Sequence, residues 1–226
     1  MPDPLIVAKA LERNYQQGGQ PIVAVKLASF QIFPGDRIAI VGPSGCGKST
    51  LLHLMAGIET ATSGTIAWPG LGELQTLRPD KIAMVFQGPS LIPELTALEN
   101  VSLPQLIGED GLRPAADALA ALRLFDLEAL AEKLPEEMSG GQMQRVALAR
   151  AVTGRPQLIL ADEMSGQLDH ATRDQVLDRL LAHLTGTDTA LVLTTHDPAV
   201  ASRMRDIWHM QRGQLRTGAE IVGAAA

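Results

Sequence analysis

One short segment, residues 42–50, constrains this chain of 226 residues more than any other. Its sequence, GPSGCGKST, fits the pattern G-x-x-x-x-G-K-[ST] without a mismatch. Residues 37–41 before it are typical of a buried strand, and residues 48–56 are typical of a helix. Glycines let consecutive backbone N–H groups surround phosphate oxygens, and the N-terminal end of the helix attracts the same anion. The segment therefore predicts a phosphate-binding loop for a nucleoside triphosphate.

The residues of this loop have expected roles. Lys48 offers a positive charge to the β- and γ-phosphates, and the Ser49 hydroxyl is placed to bind Mg²⁺. We expect the nucleotide to contact the whole segment, which consists of Gly42, Pro43, Ser44, Gly45, Cys46, Gly47, Lys48, Ser49 and Thr50. We interpret Cys46 as a small residue that fits the turn. We also expect maleimide to modify its thiol unless MgATP covers the loop.

Composition narrows the class of protein. With 46% apolar residues, the chain can bury the core of one medium-sized domain. A net charge of -6 disfavours nucleic acid as a partner. The first residues do not resemble a secretory signal, and no apolar run is long enough to span a membrane. Together with a single cysteine, which cannot form an internal disulfide, these features predict a cytoplasmic location.

The apolar pattern indicates both strands and helices. Short strands are predicted at residues 5–8, 22–25, 28–33, 64–68 and 81–86. Residues 96–150 follow a helical pattern, in which Thr96 and Glu99 fit a capping box and Pro114 fits the first position of a helix. Apolar runs at residues 157–161 and 189–194 are typical of strands in a parallel sheet, with a crossover helix between them at residues 171–184.

Polar side chains follow both of these apolar runs. Asp162 and Glu163 come after the first run, and neighbouring strand residues point in opposite directions, so each carboxylate can serve a separate purpose. Asp162 fits the role of holding Mg²⁺, and Glu163 fits that of a general base or of a residue that orients water. His196 follows the second run, at the sheet edge where ligands bind in open α/β folds. It could contact the γ-phosphate, although a lone histidine is more often a core or cap residue.

Residues 138–151 point to a family. Their sequence, MSGGQMQRVALARA, resembles the signature sequence of the ATP-binding cassette (ABC) ATPases and lies, as in that family, between the phosphate loop and Asp162. Ser139 can cap a helix, and Gly140 and Gly141 expose N–H groups that form a second anion-binding site. We assign these residues and Gln142 to nucleotide binding. Since one copy has no obvious use for two phosphate sites, we expect two copies to pair head to tail.

The resemblance covers essentially the whole chain and implies further roles. Tyr15, the only tyrosine, matches the aromatic residue that stacks on adenine, although packing alone would explain it without the family. Gln87 matches the Q-loop residue that senses Mg²⁺ and water, Asp169 matches the D-loop aspartate, and His196 matches the switch histidine. The implied metal-binding residues are Ser49, Gln87 and Asp162. The implied catalytic residues are Lys48, Gln87, Glu163 and His196.

For the fold, the resemblance implies an α/β P-loop NTPase with a RecA-like core, an antiparallel β subdomain and an inserted α-helical subdomain. We predict a single ABC ATPase domain over residues 1–226. Residues 1–88 and 154–226 form its core lobe with the antiparallel subdomain. Residues 89–153 form the helical lobe that carries the signature.

Two positions depart from the family pattern. Met164 and Ser165 stand where most members have a proline and a threonine after the catalytic glutamate, which puts the geometry of that turn in doubt and could reduce activity. Met138 replaces the usual leucine of the signature, a volume-conserving exchange for which we expect a mild effect.

Residues 86–104 resemble the ATPases of the lipoprotein-releasing, macrolide-exporter and cell-division group. In these proteins the region after Gln87 receives helices from a membrane subunit, so Leu91, Ile92 and Leu95 are candidate contacts; packing inside the helical lobe is an equal alternative. The resemblance implies an ATPase that binds ATP and Mg²⁺, forms an ATP-sandwich dimer and drives a membrane permease from the cytoplasmic face of the inner membrane. A regulatory switch that signals through a membrane partner without transport stays open. Soluble DNA-repair or ribosome-associated cassettes are disfavoured.

Overall fold

Strands and helices alternate along most of the chain. The computed structural model describes residues 2–18, 20–107, 114–164 and 168–218. In chain order its elements are β1 (Ile6–Gln17), β2 (Gln20–Ile32), β3 (Arg37–Val41), α1 (Lys48–Met55), β4 (Ser63–Ala67), β5 (Ile82–Val85), α2 (Ala97–Ile107), α3 (Pro114–Leu124), α4 (Gly140–Thr153), β6 (Leu158–Asp162), α5 (His170–Leu184), β7 (Ala190–Thr195), α6 (Pro198–Ala201), β8 (Asp206–Gln211) and β9 (Gln214–Arg216). Short 3-10 turns cover Leu74–Thr76, Glu128–Leu130 and Pro135–Glu137.

The chain divides into two compact units. The first consists of Met1–Leu77 and Ala190–Ala226, and the second of Arg78–Thr189. The predicted lobe boundaries at residues 88/89 and 153/154 both fall inside the second unit. The division into a core lobe and a helical lobe stays a prediction.

The first unit contains two groups of strands. An antiparallel sheet has the strand order β2-β1-β4. In the other group β3 lies between β7 and β8 with both pairs parallel, and β9 pairs antiparallel with β8. All six residues of β7 are buried, as are the central residues of β3, which makes these strands the core of the unit.

In the second unit β5 and β6 pair in parallel, and α2 packs against α3 and α4. Local sequence signals explain where the helices begin. Thr96 and Glu99 form the predicted capping box, since the N–H of Thr96 donates to Glu99 Oε2 at 2.8 Å and the N–H of Glu99 donates to Thr96 Oγ1 at 3.2 Å. Pro114 begins α3 as predicted. The helical stretch predicted at residues 96–150 is broken by two 3-10 turns, and residues 108–113 lie outside the described part.

The sheets contain more strand than the apolar runs predict. β1 has 12 residues, because its polar half continues to pair with β2 through the backbone beyond the predicted residues 5–8. β2 has 13 residues and joins the strands predicted at residues 22–25 and 28–33. β8 and β9 are not among the predicted strands; both are short, and β8 alternates between exposed and buried residues. None of the helices within the described ranges combines the length and apolarity needed to cross a bilayer.

Candidate nucleotide-binding site

The phosphate loop requires glycine at two positions. Gly47 precedes α1 with a φ of 108°, in the left-handed region, and a Cβ there would lie 2.0 Å from the carbonyl oxygen of Ala24. A Cβ on Gly42 would lie 2.1 Å from the carbonyl oxygen of Met210. Contacts this short exclude any side chain, so the backbones of β2 and β8 fix the shape of the loop from outside.

Lys48 is folded back onto the loop. Its Nζ donates to the carbonyl oxygens of Gly42 at 2.9 Å and Pro43 at 3.1 Å, and the residue is only 5% exposed. The ammonium group is thus held within the predicted phosphate-binding segment. This position agrees with the predicted role of Lys48 as a phosphate ligand, which stays a prediction.

Cys46 is buried within the phosphate loop. The residue is 6% exposed, its N–H donates to the carbonyl oxygen of Pro43 at 3.3 Å, and its own carbonyl accepts from Gly213 at 3.0 Å. A buried thiol is less accessible to maleimide than an exposed one, so this burial argues against ready modification of Cys46, which stays a prediction. The burial agrees with its interpretation as a small residue that fits the turn.

His196 emerges beside the phosphate loop. β3 and β7 are parallel neighbours in which Val41 lies opposite Thr195. Gly42 and His196, the residues that follow this pair, therefore leave the same edge of adjacent strands, where open α/β folds bind ligands. His196 is exposed, whereas the strand before it is buried. Its position agrees with the predicted role, which stays a prediction.

Gln87 and Glu163 contact each other in the second unit. Val85 of β5 lies opposite Ala161 of β6, and Gln87 and Glu163 each lie two positions after these paired residues. The Nε2 of Gln87 donates to Oε2 of Glu163 at 3.1 Å. The φ of Glu163 is 43°, a left-handed value that costs a non-glycine residue about 1–3 kcal/mol. Such strain is typical of residues held in place for function.

The two adjacent carboxylates have different surroundings. Asp162, the last residue of β6, is 5% exposed, whereas Glu163 is half-buried. Met164 is buried, so this departure from the family pattern packs in the core. Ser165 lies outside the described residues.

The signature segment forms the predicted cap at the start of α4. Ser139 Oγ accepts from the N–H of Gln142 at 3.2 Å, and Gln142 Oε1 accepts from the N–H of Ser139 at 2.7 Å. This capping box places Gly140 and Gly141 in the first two positions of the helix. Their N–H groups are among those that a helix leaves without an internal partner, which suits an anion.

A recess of about 330 Å³ joins the beginnings of α4 and α5. It is lined by Ser139, Gly140, Gly141, Arg145, Leu168, Asp169 and Thr172. Asp169 caps α5, because its carboxylate accepts from the N–H of Thr172 at 3.0 Å and from its hydroxyl at 2.7 Å. These bonds hold the pKa of Asp169 below its ordinary value. The N-termini of two helices and one arginine thus surround the same recess.

The predicted site residues fall into two groups, one in each unit. Tyr15, the phosphate loop with Ser49, and His196 belong to the first unit. The other group, in the second unit, contains Gln87, Asp162, Glu163, Ser139, Gly140, Gly141, Gln142 and Asp169.

Sequence reasoning missed two arginines of α4. Arg145 lines the recess and donates to the carbonyl oxygen of Phe125 at 3.1 Å. Arg150 donates to the carbonyl oxygen of Ser90 at 2.7 Å and to its hydroxyl at 2.9 Å, and burial lowers the pKa of Arg150. The sequence signal that could have identified them is the presence of two arginines on a helix that consists largely of small and apolar residues.

A phosphate loop after a buried strand, together with a glycine-rich helix start, defines the chain as a P-loop nucleotide-binding protein. A family model described as ABC transporter matches residues 25–166, and the chain belongs to this family. The lipoprotein-releasing system ATP-binding protein LolD of Legionella pneumophila (strain Paris) is 40% identical over 223 residues, covering 95% of this chain and 98% of the relative. LolD of Novosphingobium aromaticivorans is also 40% identical, covering 95% of this chain and 100% of the relative.

Solved structures support the same assignment. The ATP-binding cassette MJ0796, in a dimeric post-hydrolysis state bound to ADP and Pi, has a TM-score of 0.86 and 35% identity, covering 94% of this chain and 97% of that one. The cassette cbiO1 of Clostridium perfringens, part of the ABC transporter complex cbiONQ, has a TM-score of 0.81 and 25% identity, covering 98% and 91%. The predicted family, fold class and ATPase activity are confirmed: the chain is an ATP-binding, ATP-hydrolysing subunit of an ABC transporter.

Proposed function

We propose that two copies of this chain close head to tail around two MgATP molecules and that this closure drives a separate membrane subunit. The observation that carries the proposal is the presence of two anion-binding features on one chain. One is the phosphate loop of the first unit, and the other is the recess at Ser139 and Asp169 in the second. The similar cassette MJ0796 has been solved as a dimer, which supports pairing.

In the proposed reaction, water attacks the γ-phosphorus, the bond to the ADP oxygen breaks, and ADP and phosphate leave. Glu163 accepts the proton of the water, and its contact with Gln87 supports a shared role in orienting that water. Lys48 and the loop N–H groups bind the β- and γ-phosphates, and His196 contacts the γ-phosphate from the neighbouring strand. The signature N–H groups of the second copy complete the site.

Mg²⁺, when bound, neutralises charge on the phosphates. Ser49, Gln87 and Asp162 offer hydroxyl, amide and carboxylate oxygens, which are the types of ligand that Mg²⁺ prefers. Tyr15 stacks on the adenine in this proposal, and its 36% exposure is compatible with that role.

The membrane partner docks after Gln87 in this proposal. Ile92 is 42% exposed and so is available for contact, whereas Leu91 and Leu95 are half-buried and contribute partly to internal packing. The relatives at 40% identity are named as ATP-binding proteins of a lipoprotein-releasing system. This supports a release or transport system over a signalling switch, with the chain on the cytoplasmic face of the inner membrane.

The variant Glu163→Gln tests the dimer. It removes the proton acceptor while keeping an oxygen that can accept from Gln87, so hydrolysis should fall about 100-fold or more. MgATP should then accumulate dimers, measured as molar mass by light scattering after size-exclusion chromatography.

Glu132→Gln is the matched control, because it removes one negative charge from an exposed position of the same unit. It should hydrolyse ATP at the rate of the unchanged protein and accumulate no dimer. A Glu163→Gln protein that stays monomeric in MgATP, while the unchanged protein hydrolyses normally, contradicts the sandwich.

A further inference from the structure

Two charged side chains hold Tyr15 in the first unit. The guanidinium carbon of Arg13 lies 4.7 Å from the centroid of the Tyr15 ring. The Tyr15 hydroxyl donates to Oε2 of Glu59 at 2.9 Å, and the same oxygen lies 2.6 Å from Nε of Arg13. The side chains of Arg13 and Glu59 are only 24% and 26% exposed. The protein therefore holds one ring face and the hydroxyl end, while Tyr15 itself keeps 36% exposure.

The position of Arg13 is related to that of the phosphate loop. The register of β1 with β2 shifts between Arg13 and Asn14, which makes Ala24 the extra residue of β2. Such shifts redirect neighbouring side chains. The carbonyl of Ala24 is also the group that a Cβ on Gly47 would strike. One irregularity of the sheet thus lies beside both Arg13 and the phosphate loop.

The position of Glu59 is related to the same loop through α1. The backbone N–H of Glu59 donates to the carbonyl oxygen of His53 at 3.2 Å, which attaches it to the end of this helix. Lys48 is the first residue of the helix, which has 8 residues and a length of about 12 Å. The helix therefore begins at Lys48, the predicted phosphate ligand, and the segment bonded to its other end carries Glu59, the anchor of Tyr15.

We propose that Arg13 and Glu59 are positioning residues for the nucleotide base: they hold the Tyr15 ring so that its second face receives the adenine. This rests on the proposed function, in which Tyr15 stacks on the base. The guanidinium is attracted to the π-electrons of the ring and opposes its tilting, and Glu59 fixes the hydroxyl. A ring that is already ordered costs less entropy to engage, so affinity rises only for ligands that contain a base.

Calorimetric titration with MgADP and with magnesium tripolyphosphate separates base from phosphate binding. Arg13→Ala and Glu59→Gln should each raise the Kd for MgADP about three- to fivefold, and Tyr15→Ala should raise it about tenfold or more. None of them should change the Kd for tripolyphosphate. The control Glu12→Gln alters a carboxylate of the same strand that accepts from Ser63 at 2.8 Å, and it should change neither.

A second measurement follows the ring directly. Tyr15 is the only tyrosine, so protein containing 3-fluorotyrosine reports a single residue by ¹⁹F NMR. Before nucleotide is added, Arg13→Ala and Glu59→Gln should both move this resonance towards the position of free 3-fluorotyrosine. If the resonance stays in place in both variants, Arg13 and Glu59 do not position the Tyr15 ring, and the proposal is contradicted.

The titrations distinguish this inference from the proposed function. If Tyr15→Ala leaves the MgADP Kd unchanged, the stacking itself is wrong. If Tyr15→Ala weakens binding while Arg13→Ala and Glu59→Gln do not, only the positioning role is overturned. A lower Kd in Arg13→Ala overturns it as well, because Arg13 would then occupy the face that the base needs. An equal loss for tripolyphosphate indicates a merely structural role and also overturns it.

Discussion

Replacing Asn100 by alanine tests what shapes the segment after Gln87. Asn100 is fully buried near the start of α2. Its Oδ1 accepts from the N–H of Ile92 at 2.8 Å, and its Nδ2 donates to the carbonyl of the same residue at 3.1 Å. The Nδ2 group also donates to the carbonyls of Leu95 at 2.8 Å and Thr96 at 3.0 Å. A single side chain thus holds the proposed docking segment against the helix.

The expected cost follows from these four hydrogen bonds, each worth about 1 kcal/mol. Ile92 is 42% exposed, so water replaces part of its two bonds in the variant. The carbonyls of Leu95 and Thr96 lose a buried partner. We therefore expect Asn100→Ala to lower the free energy of unfolding by about 3 kcal/mol. For a chain of this size the midpoint of thermal unfolding should fall by about 6–12 °C.

Urea unfolding followed by circular dichroism measures this free energy from the midpoint and the slope. Ser102→Ala is the control, since Ser102 is also buried on α2 but makes its bond to Leu98 at 2.8 Å within the helix. It should cost less than about 1 kcal/mol. If Asn100→Ala costs no more than this control, the reasoning from its four bonds is refuted.

Two further predictions concern the phosphate loop and the start of α5. Gly47→Ala should abolish calorimetric binding of MgADP, because its Cβ would lie 2.0 Å from the Ala24 oxygen, whereas Gly186→Ala, also at a positive φ but with open space around it, should keep binding. The pKa of Asp169 is held below its ordinary 3.8 mainly by the backbone N–H of Thr172, so the stability it adds is present above the unfolded-state pKa and lost as pH falls through the folded-state pKa. Thermal melts over that range should show Asp169→Asn to be less sensitive to acid, and equal sensitivity in both proteins would count against this cap.

The features that could be predicted from sequence depend on residues close together in the chain. The loop needs a left-handed backbone at Gly47, which glycine adopts freely. The caps at Thr96 and Ser139 each involve a partner only three residues further on. These interactions join residues that are close together in the chain. The local sequence pattern is therefore sufficient to predict them.

The features that could not be predicted join distant parts of the chain. Gln87 and Glu163 are 76 positions apart, and their bond depends on the pairing of two strands. Arg13 and Glu59 are also far apart in the chain, and Arg13 lies next to a register shift between β1 and β2. The long polar end of β1 pairs with β2 through backbone groups, which leave no trace in the apolar pattern of β1.

The two bonds from Lys48 to loop carbonyls affect how its variants should be interpreted. The ammonium group is an internal brace for the turn as well as a ligand for phosphate. Deleting it removes a charge and leaves Gly42 and Pro43 without that donor, so the turn loses part of its support. An inactive Lys48→Ala protein therefore has two defects: it lacks the positive charge, and its phosphate loop is less well supported. Its loss of turnover overstates what the positive charge alone contributes to the reaction.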